Sequence, residues 1–205
     1  NICTFCDSHT IFGRKFRARS AQNIFKEITY LHNTYGMLTF DFVDDLITMN
    51  KDRVLELCNL IRQSAIPFRW MANARVNTVD RDMLAAMKDN GCVRVDFGVE
   101  TGDLHVRKLM RKNITDKQII DAHQIARDIG LSTGSFTMVG NIGETKDSAR
   151  MTVGLLKKIG DDVMVSIACP FPGTELFRIA KEKGFINSED WKRYVTSPTY
   201  TSGYH

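Results

Sequence analysis

The chain has 205 residues, 43% of them hydrophobic and 25% charged, with a formal net charge of +4. That length suits one large α/β domain or two small ones, and no apolar run is long enough to suggest a membrane-spanning helix. The weak basic excess tolerates an anionic substrate without marking a nucleic-acid-binding protein. Five cysteines occur, Cys3, Cys6, Cys58, Cys92 and Cys169. They are too few and too scattered for a disulfide framework, so a reducing, cytoplasmic setting is expected.

The first feature in chain order is Cys3-Thr4-Phe5-Cys6. Two thiols at this spacing can grip one soft metal, but a four-coordinate iron or zinc centre needs further ligands. With no initiator methionine ahead of it, the pair reads as the middle of a functional loop, and the chain is expected to be a piece of a longer protein. Three chemistries stay open for the pair. A redox dithiol wants the cysteines at a helix N-terminus, yet a basic segment over 9–19 separates them from the first strong helical pattern. A structural zinc site wants a second ligand pair, for which His9 is a candidate. An iron-sulfur site wants more thiolates. Arg14, Lys15, Arg17 and Arg19 read as a solvated loop or an anion contact, and no aromatic ladder accompanies them to stack nucleic-acid bases.

Beyond this loop, strand-like runs at 38–44, 68–75, 92–99, 131–139 and 163–169 alternate with helical patterns at 21–35, 52–63, 80–90, 116–129, 146–159 and 174–183. Thr115 and Gln118 have capping-box spacing. Gly36, Gly91, Gly130, Gly160 and Gly184 stand where helices end in a left-handed residue. The spacing predicts right-handed βαβ crossovers and a parallel sheet. One sheet face is expected to be polar: Asp41, then Arg69, Asn73 and Arg75, then Arg94, Asp96 and Glu100, then Thr133, Ser135 and Thr137 alternate with apolar neighbours. A closed barrel would fill its interior with branched apolar residues, so an open barrel with a ligand-facing wall is expected. Internal salt bridges involving Arg94 and Asp96 are the plainer reading.

Parallel α/β folds gather ligands at the C-terminal ends of their strands. Asp44, Asp45 and Glu100 fall there, where a carboxylate can accept from an ammonium or a ribose hydroxyl, although turn or cap chemistry also suits the aspartates. Gly140-Asn141-Ile142-Gly143-Glu144-Thr145 allows close backbone approach but matches no phosphate-binding fingerprint. Pro170-Phe171-Pro172-Gly173-Thr174 is a rigid turn after the last strand.

Together these motifs resemble the radical S-adenosylmethionine superfamily, in the group often associated with a cobalamin-binding domain. Cys3-Thr4-Phe5-Cys6 resembles the second half of its Cys-x-x-x-Cys-x-x-Cys signature. Phe42-Val43-Asp44-Asp45, Val95-Asp96-Phe97-Gly98-Val99-Glu100-Thr101-Gly102, Met138-Val139-Gly140 and the Pro170–Thr174 turn resemble its strand-end motifs in the same order. Ile142 departs from the family pattern, which often has proline there.

The resemblance implies an α/β fold, a partial open (β/α)6 TIM-like barrel with strands two to six present. The core would span 1–185, with its cluster-binding loop at 1–19 and a C-terminal extension over 186–205. It also implies a [4Fe-4S] cluster on Cys3 and Cys6 with a first cysteine ahead of Asn1. S-adenosylmethionine would be bound by Phe5, Asp44 or Asp45, Glu100 and Gly140, with Asn73 and Arg75 toward its carboxylate or the substrate. Cobalamin would sit in an upstream domain. The parent enzyme would generate a 5′-deoxyadenosyl radical for hydrogen abstraction from an unknown substrate and be served by a reductant protein, whereas the 205-residue piece alone would be inactive. Without the first strand, the edge at 38–44 would invite a homo-oligomer. A thiol-disulfide oxidoreductase and a structural zinc domain are the alternatives. Neither a membrane span nor a nucleic-acid partner is expected.

Overall fold

The computed structural model describes residues 3–13, 15–44 and 46–186. Five strands, β1 (Thr39–Phe42), β2 (Arg69–Ala74), β3 (Cys92–Glu100), β4 (Ser132–Val139) and β5 (Asp162–Ile167), form one sheet in sequence order, every pairing parallel. The helices are α1 (Ser8–Phe12), α2 (Ala21–Tyr35), α3 (Lys51–Ser64), α4 (Arg81–Asp89), α5 (Leu104–Leu109), α6 (Asp116–Asp128), α7 (Lys146–Ile159) and α8 (Glu175–Glu182). The result is a curled half-barrel of the TIM-like α/β type.

Local chemistry places the boundaries. Ser20, Asn50, Asp80 and Thr115 each accept a backbone N–H of the first helical turn, and Thr115 with Gln118 closes the expected capping box. Gly91 shows why its position takes no other residue. Its φ is +90°, and a Cβ would lie 2.0 Å from the Phe68 carbonyl oxygen, so only glycine lets α4 turn directly into β3.

The core lies between the sheet and its helices. Trp70, Val95, Phe97, Val99, Leu84, Met87 and Ile119 are fully enclosed there. At the β1 edge Phe40 packs on Phe68 and Phe42 on Trp70, with ring centroids 5.6 and 5.3 Å apart.

Two expectations need correction. Thr133, Ser135 and Thr137 do not belong to the inner wall. Ser135 is paired in register with Phe97, and His123 of α6 contacts both, so this hydroxyl row faces the helices. The inner side of β4 instead carries Gly134, Phe136 and Met138, opposite Asp96 and Gly98. A hydroxyl can occupy a buried face when it bonds a neighbour, and alternation alone does not tell the two faces apart. The second correction concerns missed elements: α1, α5 and a 3-10 turn at Ile47–Met49 are too short to leave a periodic pattern. The tail beyond 186 and Asp45 lie outside the described residues.

Candidate active site

β3 is the longest strand, and its last turn of backbone is irregular. Its ladder with β4 slips between Gly98 and Glu100, and Glu100 has φ +68°, a left-handed conformation that costs a non-glycine residue about 1 kcal/mol. The slip aims the Glu100 carboxylate at Lys112, whose ammonium donates to Oε1 at 2.7 Å. Both side chains are less than a tenth exposed. Gly98 makes room for them, since a Cβ there would meet Lys112 Nζ at 2.6 Å and Glu100 Oε1 at 2.8 Å. This ion pair therefore caps the inner face of β3.

Lys112 reaches the pair because the segment after α5 is braced. The guanidinium of the buried Arg107 donates to the Thr101 and Ile114 carbonyls and to Asp116 Oδ1. The Gly102 N–H donates to Thr152 Oγ1 at 2.9 Å, tying the end of β3 to α7. A buried ion pair contributes little net stability because both charges lose water. Its retention at a strand end, on strained backbone, is the kind of departure that marks functional sites.

The cysteine loop docks onto the same region. Thr4 N–H donates to the Met110 carbonyl at 3.0 Å, and Leu176 N–H donates to the Thr4 carbonyl at 2.8 Å. Cys3 is buried with its Sγ 3.9 Å from the Arg111 carbonyl, one residue before Lys112. Cys6 is half-buried, and its N–H closes a turn onto the Cys3 carbonyl at 3.3 Å. A cleft of about 510 Å³ beside Cys3 is lined by His9, Arg111 and the first residues of α8. The structure thus joins Cys3, Lys112, Glu100 and the Gly173-Thr174 turn along one edge.

Of the other predicted residues, Phe5 shares the cysteine turn and the rest stand on or after other strands. Phe5 is half-buried within the cysteine turn. Asp44 is exposed after β1, in a groove with Arg19 and Arg53. Asn73 is paired in register with Asp96 on the inner side of the sheet. Arg75 follows β2 and donates through Nε to Asn77 Oδ1, while its Nη2 is enclosed without a hydrogen-bond partner. Gly140 has φ +84°, and its N–H donates to the Glu144 carboxylate.

Lower on the inner face, Arg94 donates to Asp96 Oδ1 at 2.7 Å and to Asp162 Oδ2 at 2.6 Å, so the internal salt bridge is real and reaches β5. Burial pushes the Asp96 carboxyl above its ordinary range, and Arg94 only partly offsets this.

Lys112 and Arg107 were not singled out from the sequence. Arg107 stands in α5 and Lys112 just after it, in a charged run that reads as solvated surface; only the β3 slip and the α5 turn fold them inward. Among the described residues, no three His, Cys, Asp or Glu side chains converge as a metal site. Cys3 and Cys6 nevertheless share one turn with free thiols, and the orphaned Arg75 Nη2 is a donor lacking an anion. Those features fit a thiolate-held cluster completed by further ligands and a carboxylate-bearing cofactor.

The sequence model of the Radical SAM superfamily matches residues 1–156. An uncharacterized methyltransferase from Pyrococcus horikoshii is 35% identical over 95% of this chain and 42% of its own length. An anaerobic magnesium-protoporphyrin IX monomethyl ester cyclase from Cereibacter sphaeroides is 26% identical over 94% of this chain and 32% of its own length. Among solved structures, the radical S-adenosylmethionine methyltransferase TsrM from Kitasatospora setae, with cobalamin and a [4Fe-4S] cluster bound, has a TM-score of 0.75 at 18% identity, covering 88% of this chain and 35% of that one. That is a likeness of fold. The chain spans about two fifths or less of the curated relatives it matches.

Proposed function

The chain belongs to the radical SAM superfamily, and on that premise we propose that it forms the core of an iron-sulfur enzyme that cleaves S-adenosylmethionine to start a reaction on an unidentified substrate. The contact run from Cys3 through Arg111 and Lys112 to Glu100 carries this reading, because it sets a thiol pair and a strand-end carboxylate along one edge. When bound, a reduced [4Fe-4S] cluster supplies the electron that splits S-adenosylmethionine into methionine and a 5′-deoxyadenosyl radical, which abstracts a hydrogen atom.

The residues divide the remaining work. Cys3 and Cys6 hold iron as thiolates, and Phe5 shields their turn from water. Glu100 accepts from the cofactor's ribose hydroxyls or ammonium, while Lys112 holds that carboxylate in place before the ligand arrives. Asp44 or Asp45 serves the methionine ammonium, Asn73 and Arg75 the carboxylate or substrate, and Gly140 the adenine by close backbone approach. Free thiols in the fold suit a reducing compartment, and we place the protein in the cytoplasm. Among the described residues no helix is long and apolar enough to cross a membrane.

A second reading, methyl transfer through cobalamin held outside this chain, draws on the Pyrococcus methyltransferase and the TsrM fold. Anaerobic assay of the full-length protein separates the outcomes. 5′-Deoxyadenosine formation that depends on Cys3 and Cys6 supports the radical reading, and accompanying S-adenosylhomocysteine supports methyl transfer. Dithiol exchange by iron-free protein, without cofactor cleavage, would return the redox alternative.

A further inference from the structure

Among the described residues, Ala65, Glu100 and Arg111 have a left-handed backbone without being glycine. Glu100 and Arg111 both belong to the edge that holds Cys3, and Arg111, with φ +53°, stands directly before Lys112. Its conformation follows from the way α5 ends. The Lys112 N–H donates to the Arg107 carbonyl and the Arg111 N–H to the Lys108 carbonyl, both at 3.0 Å. This pair of bonds closes a helix through one left-handed residue, a position that glycine fills at least cost. An arginine there lowers the folding equilibrium constant about threefold relative to glycine.

The position is joined to the cysteine loop from two sides. On the backbone side, the Met110 carbonyl accepts the Thr4 N–H at 3.0 Å and the Arg111 carbonyl accepts from Cys3 Sγ at 3.9 Å. A glycine would offer the same carbonyls. It would not offer the guanidinium, whose Nη2 stands 3.6 Å from Glu175 Oε1 in the first turn of α8. Arg178 also donates to that oxygen, at 2.6 Å, so Glu175 is anchored on its own helix and Arg111 crosses to it from the end of α5. The next residue, Leu176, donates its N–H to the Thr4 carbonyl at 2.8 Å. Both side chains of the Arg111–Glu175 pair are partly exposed, so the pair adds little to global stability.

We propose that Arg111 is a positioning residue for the cysteine loop: its backbone seats Cys3 and Thr4, and its guanidinium holds the start of α8 against the loop's other side. The inference rests on the reading that Cys3 and Cys6 hold the cluster. The two roles separate energetically. Removing the side chain favours the fold, because the left-handed residue is relieved, yet frees the loop to open locally.

The test uses the full-length protein, first iron-free, with iodoacetamide alkylation followed cysteine by cysteine by mass spectrometry. Cys58 and Cys92 lie in the core, where burial pushes both thiols up to about 12, so they report global opening. Arg111→Gly should favour folding about threefold in urea titrations. It should nevertheless speed alkylation of Cys3 about threefold, with Cys58 and Cys92 no faster than in the wild type. Arg111→Lys keeps the charge and should fall between. Glu175→Gln should speed Cys3 without stabilising the fold, and the double variant should go no further than the faster single one, since both changes remove one contact. After reconstitution with iron and sulfide, Arg111→Gly should lose iron to a chelator about threefold faster than the wild type. Cys3 alkylation that is unchanged in Arg111→Gly, or that rises only in step with Cys58 and Cys92, overturns the proposal. So does iron release at the wild-type rate once Cys3 is loosened. If Arg111→Gly fails to fold, Arg111→Lys and Glu175→Gln decide by the same ratio of rates. Wild-type protein that takes up no iron fails the cluster reading instead.

Discussion

Two ion pairs stand on the inner side of β3, one toward each end of the strand, and they differ in closure. In the lower one Arg94 lies between Asp96 and Asp162, over the space that Gly134 leaves open. Asp162 is 73% exposed, so water reaches this pair from the β5 side. The upper one, Glu100 with Lys112, is closed on both partners and rests on left-handed backbone. The lower pair stitches β3 to β5 where a glycine leaves β4 without a side chain. The upper pair stabilises the fold less efficiently, yet it stands at the edge where parallel sheets receive ligands. Charge on an inner wall is scaffold in one place and, on the proposed function, preset binding chemistry in the other.

The sharpest way to break this contrast is Lys112→Met. The change leaves Glu100 enclosed without its counter-charge, and chemical denaturation should show a loss of about 3 kcal/mol. S-adenosylmethionine affinity of the full-length protein should fall as well, because the carboxylate loses its orientation. A stable variant with unchanged affinity would make the upper pair mere packing.

Gly98→Ala probes the same pair with a smaller blow. The new methyl group runs into the Lys112 ammonium and the Glu100 carboxylate, both movable side-chain ends. Cofactor affinity should drop about tenfold, with a stability loss of about 1 kcal/mol. A crystal structure of the variant should show the Lys112 and Glu100 side chains displaced from the inner face of β3.

Arg94→Met is the matched change below. Asp96 loses its partner, but its raised pKa and the open side near Asp162 let it take a proton or water. The expected loss is about 1 to 2 kcal/mol, and cofactor affinity should stay within about twofold of the wild type, because the two pairs share no partner. An equal loss of affinity at both pairs would erase the distinction between them.

The smallest effect lies behind the sheet. His123 is enclosed between Phe97, Ser135 and the Ile119 carbonyl, near Asp161 and Arg127, and burial holds its pKa below the ordinary 6.5. The folded protein keeps it neutral while the unfolded chain protonates near 6.5, so stability is present above that pH and lost as pH falls through it. Denaturation midpoints from pH 7.5 to 5.5 should decline with a slope of at most about 1.4 kcal/mol per unit from this group. His123→Gln should flatten that decline.

The contrast between the two pairs also shows how far the sequence could be read. Parallel order, strand positions and helix caps were legible because alternation, the Thr115 box and the terminal glycines each have one cheap structural solution. Arg94 with Asp96 was legible as a pair because the two residues are neighbours on one strand face. Lys112 was not, since it reaches Glu100 through a six-residue helix and a local slip of β3 that no periodicity announces. The Thr133-Ser135-Thr137 row was assigned to the wrong face for a related reason: His123 satisfies Ser135 from behind, and a buried hydrogen bond makes a hydroxyl look like inner-wall polarity. Among the strand-end candidates Glu100 sits beside the cysteine loop, whereas Asp44 and Arg75 stand on neighbouring strands.

The most direct measurement is low-temperature EPR of the full-length protein, reconstituted anaerobically with iron and sulfide, reduced, and recorded with and without S-adenosylmethionine. A thiolate-held [4Fe-4S] centre should bring about four irons per chain. Its reduced signal should shift when the cofactor is added, and both the iron and the signal should be lost in Cys3→Ser and in Cys6→Ser. Iron that stays bound in both cysteine variants, or a signal indifferent to S-adenosylmethionine, would contradict the assignment of this edge as a radical SAM centre.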